Sequence, residues 1–82
     1  MDIPFTERLQ AIKYNIVYYR RMRKLSQEKL AEKIDISRTH LANIEAPNSN
    51  TGVHLDILYR IAYALDIEII KLLDISKYSE LH

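Results

Sequence analysis

The chain has 82 residues, 28% of them charged and none of them cysteine. This length predicts one small domain, residues 1–82, with no separate sensor domain. A domain of about this size buries only about 60% of the surface of its unfolded chain, so self-association would stabilise it. The lack of cysteine excludes disulfides and thiolate metal sites, and it favours a reducing, cytoplasmic location.

The net charge of +1 is unevenly distributed along the chain. Residues 1–44 hold nine Lys/Arg against five Asp/Glu, and residues 45–82 hold three against six, so the two halves carry +4 and −3. A basic half is typical of a protein that neutralises phosphates, although a solvated charged face is the alternative explanation. A single Gly and two Pro favour an all-helical chain, and no apolar run is long enough to predict a membrane span.

The first predicted helix covers residues 6–24, with Thr6 as its N-cap. Its apolar residues fall at helical spacing and predict a buried stripe of Leu9, Ile12, Ile16 and Tyr19. Basic residues crowd its last turn, where they either complement the helix dipole or contact phosphate. The candidates for phosphate contact are Arg23 and Lys24.

Residues 26–45, SQEKLAEKIDISRTHLANIE, predict two short helices, 27–34 and 38–45, that meet at an angle. The apolar period of the first helix breaks after Ile36 and restarts at Leu41, so one straight helix would scatter these side chains. Two helices crossing through a tight turn would bring them together, and the small Ala31 leaves room for a close crossing. This arrangement is typical of a DNA-reading unit.

Start and stop signals mark both of these helices. Ser26 and Ser37 are favoured N-caps, because a hydroxyl oxygen can accept from the free backbone N–H groups of the first turn. Asp35 lies where the turn requires a left-handed residue, and Asp tolerates that conformation better than most.

The second half of the chain predicts one loop, two helices and a tail. Residues 46–53 form the loop, because Pro47 stops the preceding helix and turn-forming residues follow. Its small polar residues either bind phosphate or belong to a loop that only connects two helices. The candidates for phosphate contact are Asn48, Ser49 and Asn50. Helices are predicted at 54–65 and 68–73, with Leu55, Leu58, Ile61, Ala62, Leu65 and Leu72 facing inward. The tail, 74–82, is expected either to pack on a partner or to be disordered.

Four apolar residues on the last two predicted helices have no obvious place in so small a core. Exposed apolar side chains that gather on one surface indicate a protein–protein contact. Tyr59, Tyr63 and Tyr78 are further candidates for that contact, or are simply half-buried. The predicted dimer-interface residues are Ile57, Ile69, Ile70 and Leu73.

The residues from Gln27 to Glu45 resemble the Cro/repressor-type, or XRE-type, helix-turn-helix family. The resemblance is carried by Gln27 at the start of the unit, Ala31, the apolar positions and the closing Ile44-Glu45, and it extends from about residue 12 to residue 73. The run Arg38-Thr39-His40-Leu41 is similar to the Arg-Thr-Tyr-Ile run of restriction–modification controller proteins.

The resemblance implies a compact all-α bundle of five helices of the lambda-repressor-like DNA-binding type, which assembles as a homodimer. It also implies an ion pair between Arg20 and Glu45, for which a bidentate arrangement suits Arg better than Lys. Lys24, Asp35 and Asp66 occupy positions where relatives often have Gly, and they are departures from the family pattern.

In a helix-turn-helix unit the second helix enters the major groove with its N-terminal residues toward base edges. Arg38 is the leading candidate, because a guanidinium can bind O6 and N7 of guanine together. His40 stands where the controller pattern has Tyr, and a plain surface histidine is the alternative. Gln27, at the start of the first helix of the unit, is a candidate for phosphate contact. The candidate base contacts are Ser37, Arg38, Thr39, His40 and Asn43.

We therefore expect a transcriptional regulator, such as a repressor, that binds double-stranded DNA at a near-palindromic operator as a homodimer. An antitoxin or other interaction module, which holds a partner protein and autoregulates, is the alternative. An enzyme is disfavoured, because the three His residues fit no metal-ligand spacing and no phosphate loop or catalytic set is evident. No metal, cofactor, membrane contact or small-molecule effector is expected.

Overall fold

The computed structural model describes residues 4–81, and the regular structure in that range is entirely helical. The all-α fold class is thus confirmed. None of the described helices combines the length and hydropathy that a bilayer-crossing segment needs. The helices in chain order are α1 (Phe5–Met22), α2 (Gln27–Lys33), α3 (Arg38–Glu45), α4 (Leu55–Ala64), α5 (Ile69–Leu73) and α6 (Ser76–Leu81).

The helices α1 to α5 correspond to the predicted ones within two residues at each end, and the predicted residues 1–3 and 82 lie outside the described range. The predicted N-cap of α1 is wrong. The cap is Pro4, whose carbonyl oxygen accepts from the amides of Glu7 and Arg8 at 3.1 Å each, without a side-chain cap. Its φ of −58° suits the start of a helix, so the helix begins before Thr6.

The buried apolar side chains form a cluster to which α1 to α5 all contribute. On α1, Ile16 is fully buried, whereas Ile12 and Tyr19 are half-buried and pack against the cluster. Its fully buried large members are Ile16, Leu30, Leu41, Ile44, Ile61, Leu65 and Leu72.

The inward face of α4 differs from the predicted one at two positions. Leu55 was expected inward and is 63% exposed, because it is the first residue of α4 and lies at its free end. Ile57 was expected at an exposed dimer surface and is only 7% exposed. It lies one helical turn before Ile61 and belongs to the core, so its assignment to the dimer interface is wrong.

Three helices end in the left-handed turn that usually contains Gly. Lys24, Asp35 and Asp66 have φ values of 57°, 60° and 56° and follow the ends of α1, α2 and α4. At each turn the amide of the next residue donates to a carbonyl five residues earlier, as in the Schellman motif. The three departures from the family pattern therefore keep the glycine-type backbone without glycine.

Over residues 76–81 the tail is helical rather than disordered: it forms α6, which packs on α1 of the same chain. The carboxylate of Asp74 accepts from the amide of Ser76, the first residue of α6, at 2.9 Å, and this hydrogen bond lowers the pKa of the carboxyl. The rings of Tyr78 and Tyr14 meet edge to face at 6.1 Å, and Lys77 lies 4.8 Å from the ring centre of Tyr18.

Candidate nucleic-acid interface

The segment from α2 to α3 is bent as its apolar spacing predicts. The two helices pack against each other, and Ala31 at their contact is 2% exposed. At the turn, the amide of Ile36 donates to the carbonyl of Ala31 at 3.0 Å. Two helices joined in this way form a helix-turn-helix, whose second helix is α3.

Both helices of this unit begin at serine caps. The hydroxyl oxygen of Ser26 accepts from the amide of Lys29 at 3.1 Å, and that of Ser37 accepts from the amide of His40 at 3.0 Å. Each cap fixes the first turn of its helix, and free backbone N–H groups of that turn remain available to an anion such as phosphate.

α3 has one buried face and one exposed face. Leu41, Ile44 and Glu45 are buried, with exposed fractions of 0%, 1% and 5%. The structure places every candidate base-contact residue outside that face, at the exposed positions Ser37, Arg38, Thr39, His40 and Asn43.

Arg20 and Glu45, which the family resemblance pairs, form a bidentate ion pair in the structure. The guanidinium Nε donates to Oε2 at 2.8 Å and Nη2 donates to Oε1 at 2.9 Å. Nη1 donates to the carbonyl of Leu25 at 2.8 Å, so the same side chain also holds the connection between α1 and α2. The pair fixes the last residue of α3 to the frame of the protein, because neither group can move without leaving a buried charge unpaired.

Gln27 joins this pair. Its Nε2 donates to Oε1 of Glu45 at 2.9 Å, so the amide group at the start of α2 is held in one orientation. The carboxylate of Glu45 therefore couples the N-terminal end of α2 to the C-terminal end of α3.

Arg23, a candidate for phosphate contact, is engaged within the protein. Its Nε donates to the carbonyl of Leu65 at 2.7 Å and its Nη2 donates to that of Asp66 at 3.1 Å. These carbonyls end α4, so Arg23 caps that helix. Lys24, the other candidate at the end of α1, is exposed.

Two polar residues of α1 are buried although the sequence did not predict it. The Nζ of Lys13 donates to the carbonyls of Ile44 and Asn43 in α3, and the Nδ2 of Asn15 donates to those of Leu72 and Asp74 at the end of α5. Both residues are 1% exposed. A signal was present, because each lies three or four residues from apolar residues of the predicted stripe and so faces the core.

The polar residues of the loop between α3 and α4 differ in exposure. Asn48 and Asn50 are exposed, and the hydroxyl of Ser49 is half-buried and accepts from the amide of Thr51 at 3.0 Å. His40 lines a shallow depression together with residues 51–54, which the sequence did not predict. Within residues 4–81 no group of three or more His, Cys, Asp or Glu residues is placed to hold a metal ion.

Comparisons with known proteins agree with this geometry. Residues 14–78 match the family described as a helix-turn-helix domain. A solved structure, described as a hypothetical transcription factor NHTF from Neisseria, superposes with a TM-score of 0.76 at 25% sequence identity. The match covers 95% of this chain and 86% of that one. No curated protein matches the chain. The chain belongs to the XRE-like helix-turn-helix family and is a DNA-binding regulator.

Proposed function

We propose that the protein regulates transcription by binding a near-palindromic operator as a homodimer, with α3 in the major groove of each half-site. The observation that carries the proposal is the division of α3 into two faces. Its core face is fixed by Leu41, Ile44 and the Arg20–Glu45 pair, while its other face offers exposed polar side chains. A helix held in this way can present the same groups to each duplex it meets.

Arg38 is the residue we assign to direct base recognition. It is the first residue of α3 and is exposed, so its guanidinium is free to reach O6 and N7 of a guanine. Thr39 offers a methyl group to thymine, and Asn43 lies one turn later on the exposed side. Ser37 and His40 complete the set of side chains proposed to face bases.

Phosphate contacts are proposed for groups that precede and follow α3 in the chain. Gln27 and the first amides of α2 precede it, and Lys24 adds an exposed cation. After α3, the loop supplies Asn48, Ser49 and Asn50. Arg23 we assign to capping α4 instead, because two of its nitrogens already donate there.

The proposed dimer uses exposed side chains of the last two core helices. The α4–α5 surface consists of Tyr59, Tyr63, Ile70 and Leu73, which are 56%, 89%, 69% and 43% exposed. Large apolar groups at these exposures favour burial against a second copy. Ile69 is half-buried and packs against the core, so it contributes less to the surface.

The test is selection of binding sites from a random duplex library, followed by titration of the selected site and its single-base variants. The protein should select a near-palindrome with half-sites about 34 Å apart. Arg38→Ala should lose about 1–3 kcal/mol of discrimination at one base pair per half-site.

Lys24→Asn is the matched control, because it also removes one positive charge while Asn tolerates the left-handed backbone. It should weaken binding to all sequences alike. An Arg38→Ala protein with unaltered site preference would contradict the assignment, and failure of the parent protein to select any site would contradict the proposed function.

A second candidate is supported by the same α4–α5 surface. An antitoxin, or another module that holds a partner protein, would cover those apolar side chains with a different chain. Sedimentation of the purified protein separates the two: self-association favours the homodimer, and a monomer at all concentrations favours a foreign partner.

A further inference from the structure

The amino group of Lys13 lies inside the protein against the C-terminal end of α3. The side chain comes from the middle of α1, and the residue is 1% exposed. Its Nζ donates to the carbonyl of Ile44 at 2.7 Å and to that of Asn43 at 3.3 Å. Both carbonyls are among the last four of the helix, which have no partner within it.

The charge of this buried amine is compensated by α3 itself. Among residues 4–81, the ion pairs join Arg20 to Glu45 and Arg60 to Asp56, and no carboxylate pairs with Lys13. The C-terminal end of a helix carries about half a negative charge, which favours a cation placed there. Burial lowers the pKa of the Lys13 amine, because desolvation disfavours its charged form, whereas the two carbonyl acceptors favour it. Moving α3 away would leave a buried cation without partners.

Lys13 and Arg20 are seven residues apart, so they lie on the same side of α1. Lys13 holds backbone carbonyls near the end of α3, and Arg20 holds the side chain of its last residue. These two attachments from one rigid helix restrict both the position and the tilt of α3. The hydrogen bonds from Lys13 and Arg20 to α3 all reach residues 43–45 at its C-terminal end, whereas Arg38 lies at its N-terminal end.

We propose that Lys13 is a positioning residue for DNA recognition, which sets the tilt of α3 and thereby the base pair that Arg38 reaches. This inference rests on the proposed function. The eight residues of α3 span about 12 Å, so a tilt of about 10° at the held end moves the other end by about 2 Å. Hydrogen bonds to base edges tolerate only about 0.5 Å, so such a tilt removes sequence discrimination.

The experiment compares site discrimination by Lys13→Met with that of the parent protein. Met retains the length and apolar stem of Lys but has neither charge nor donor. We expect it to lose about tenfold in discrimination at the Arg38 base pair while it still binds DNA. Lys13→Gln, which keeps a donor, is the second variant and should lose less. If Lys13→Met does not fold, Lys13→Gln carries the test.

Two controls separate positioning from a general loss of structure or charge. Asn15→Leu removes the other buried capping group of α1, which holds α5, so it should lower stability without changing site discrimination. Lys33→Met removes one exposed cation near the end of α2 and should also retain discrimination.

Folded Lys13 variants that discriminate like the parent protein would overturn the positioning role alone. An equal loss in Asn15→Leu would overturn it too, because loosening anywhere in the fold would then suffice. If the parent protein selects no site, both this role and the proposed function fail.

Discussion

The helix-turn-helix and the α4–α5 surface differ in how their side chains are satisfied. In the helix-turn-helix, buried polar groups are held by other groups of the same chain, as in the contact of Gln27 and Arg20 with Glu45. On the α4–α5 surface, Tyr63 and Ile70 are 89% and 69% exposed. The buried polar groups of the helix-turn-helix have their partners within one chain, whereas the α4–α5 surface leaves apolar side chains exposed to water.

This difference indicates two kinds of recognition. A rigid frame with exposed polar groups suits a duplex, whose phosphates and base edges need groups at fixed positions. Exposed apolar area suits a protein partner, because burying it releases water. The two regions should therefore respond differently to substitution: changes in the first should alter folding and DNA binding, and changes in the second should alter assembly.

The largest effect is expected from breaking the ion pair of the first region. Glu45→Ala should lower the free energy of unfolding by about 3–5 kcal/mol and weaken DNA binding, because it leaves the Arg20 guanidinium buried without its partner. Urea denaturation measures the change. The control is Asp56→Ala, which removes an exposed ion pair of 3.7 Å with Arg60 and should cost less than about 1 kcal/mol. Equal losses in the two variants would contradict the role of the buried pair.

A smaller effect is expected on the α4–α5 surface, and it should appear in assembly. Ile70→Glu should weaken self-association by about 1.5–3 kcal/mol per copy, because each copy loses a buried apolar side chain at the proposed interface. Unfolding of the monomer should change by less than about 0.5 kcal/mol. Sedimentation at a series of protein concentrations measures the self-association. Met22→Glu, at a 61% exposed residue of α1, is the control, and equal self-association of both variants would argue against this interface.

The smallest effect concerns the turn that leads into the helix-turn-helix. Lys24→Gly should stabilise the protein by about 0.5–1 kcal/mol, because glycine adopts the left-handed backbone at φ 57° without a steric cost. Asp35→Gly should raise the stability by less, since Asp already tolerates this conformation. Lys33→Gly, in the last turn of α2, should instead lose about 1 kcal/mol. Thermal denaturation ranks the stabilities of the three variants. A lower stability of Lys24→Gly than of the parent protein would contradict the proposed effect of the left-handed turn.

Much of the fold was predictable from local spacing. The positions of α2 and α3 followed from the break in the apolar period near Ile36, and their starts followed from Ser26 and Ser37. The burial of Ile57 and the exposure of Leu55 were not predictable, because each residue lies at helical spacing from other apolar residues of α4. Which stripe faces the core depends on where α4 lies relative to its neighbours, and that is a property of the packed chain.

The hydrogen-bond partner of Arg20 was predictable from the sequence, whereas the partners of Lys13 were not. Arg20 bonds a side chain, and both members of that pair have an identity that a family pattern can reveal. Lys13, Asn15 and Arg23 bond backbone carbonyls 30 to 59 residues away, and a carbonyl is chemically the same at every residue. The sequence by itself determined α1 to α5, the turn between α2 and α3, and the polar face of α3, whereas α6 was not predicted. Only the tertiary structure decided which helix ends receive the buried donors of α1, because backbone acceptors become distinct only through their position in space.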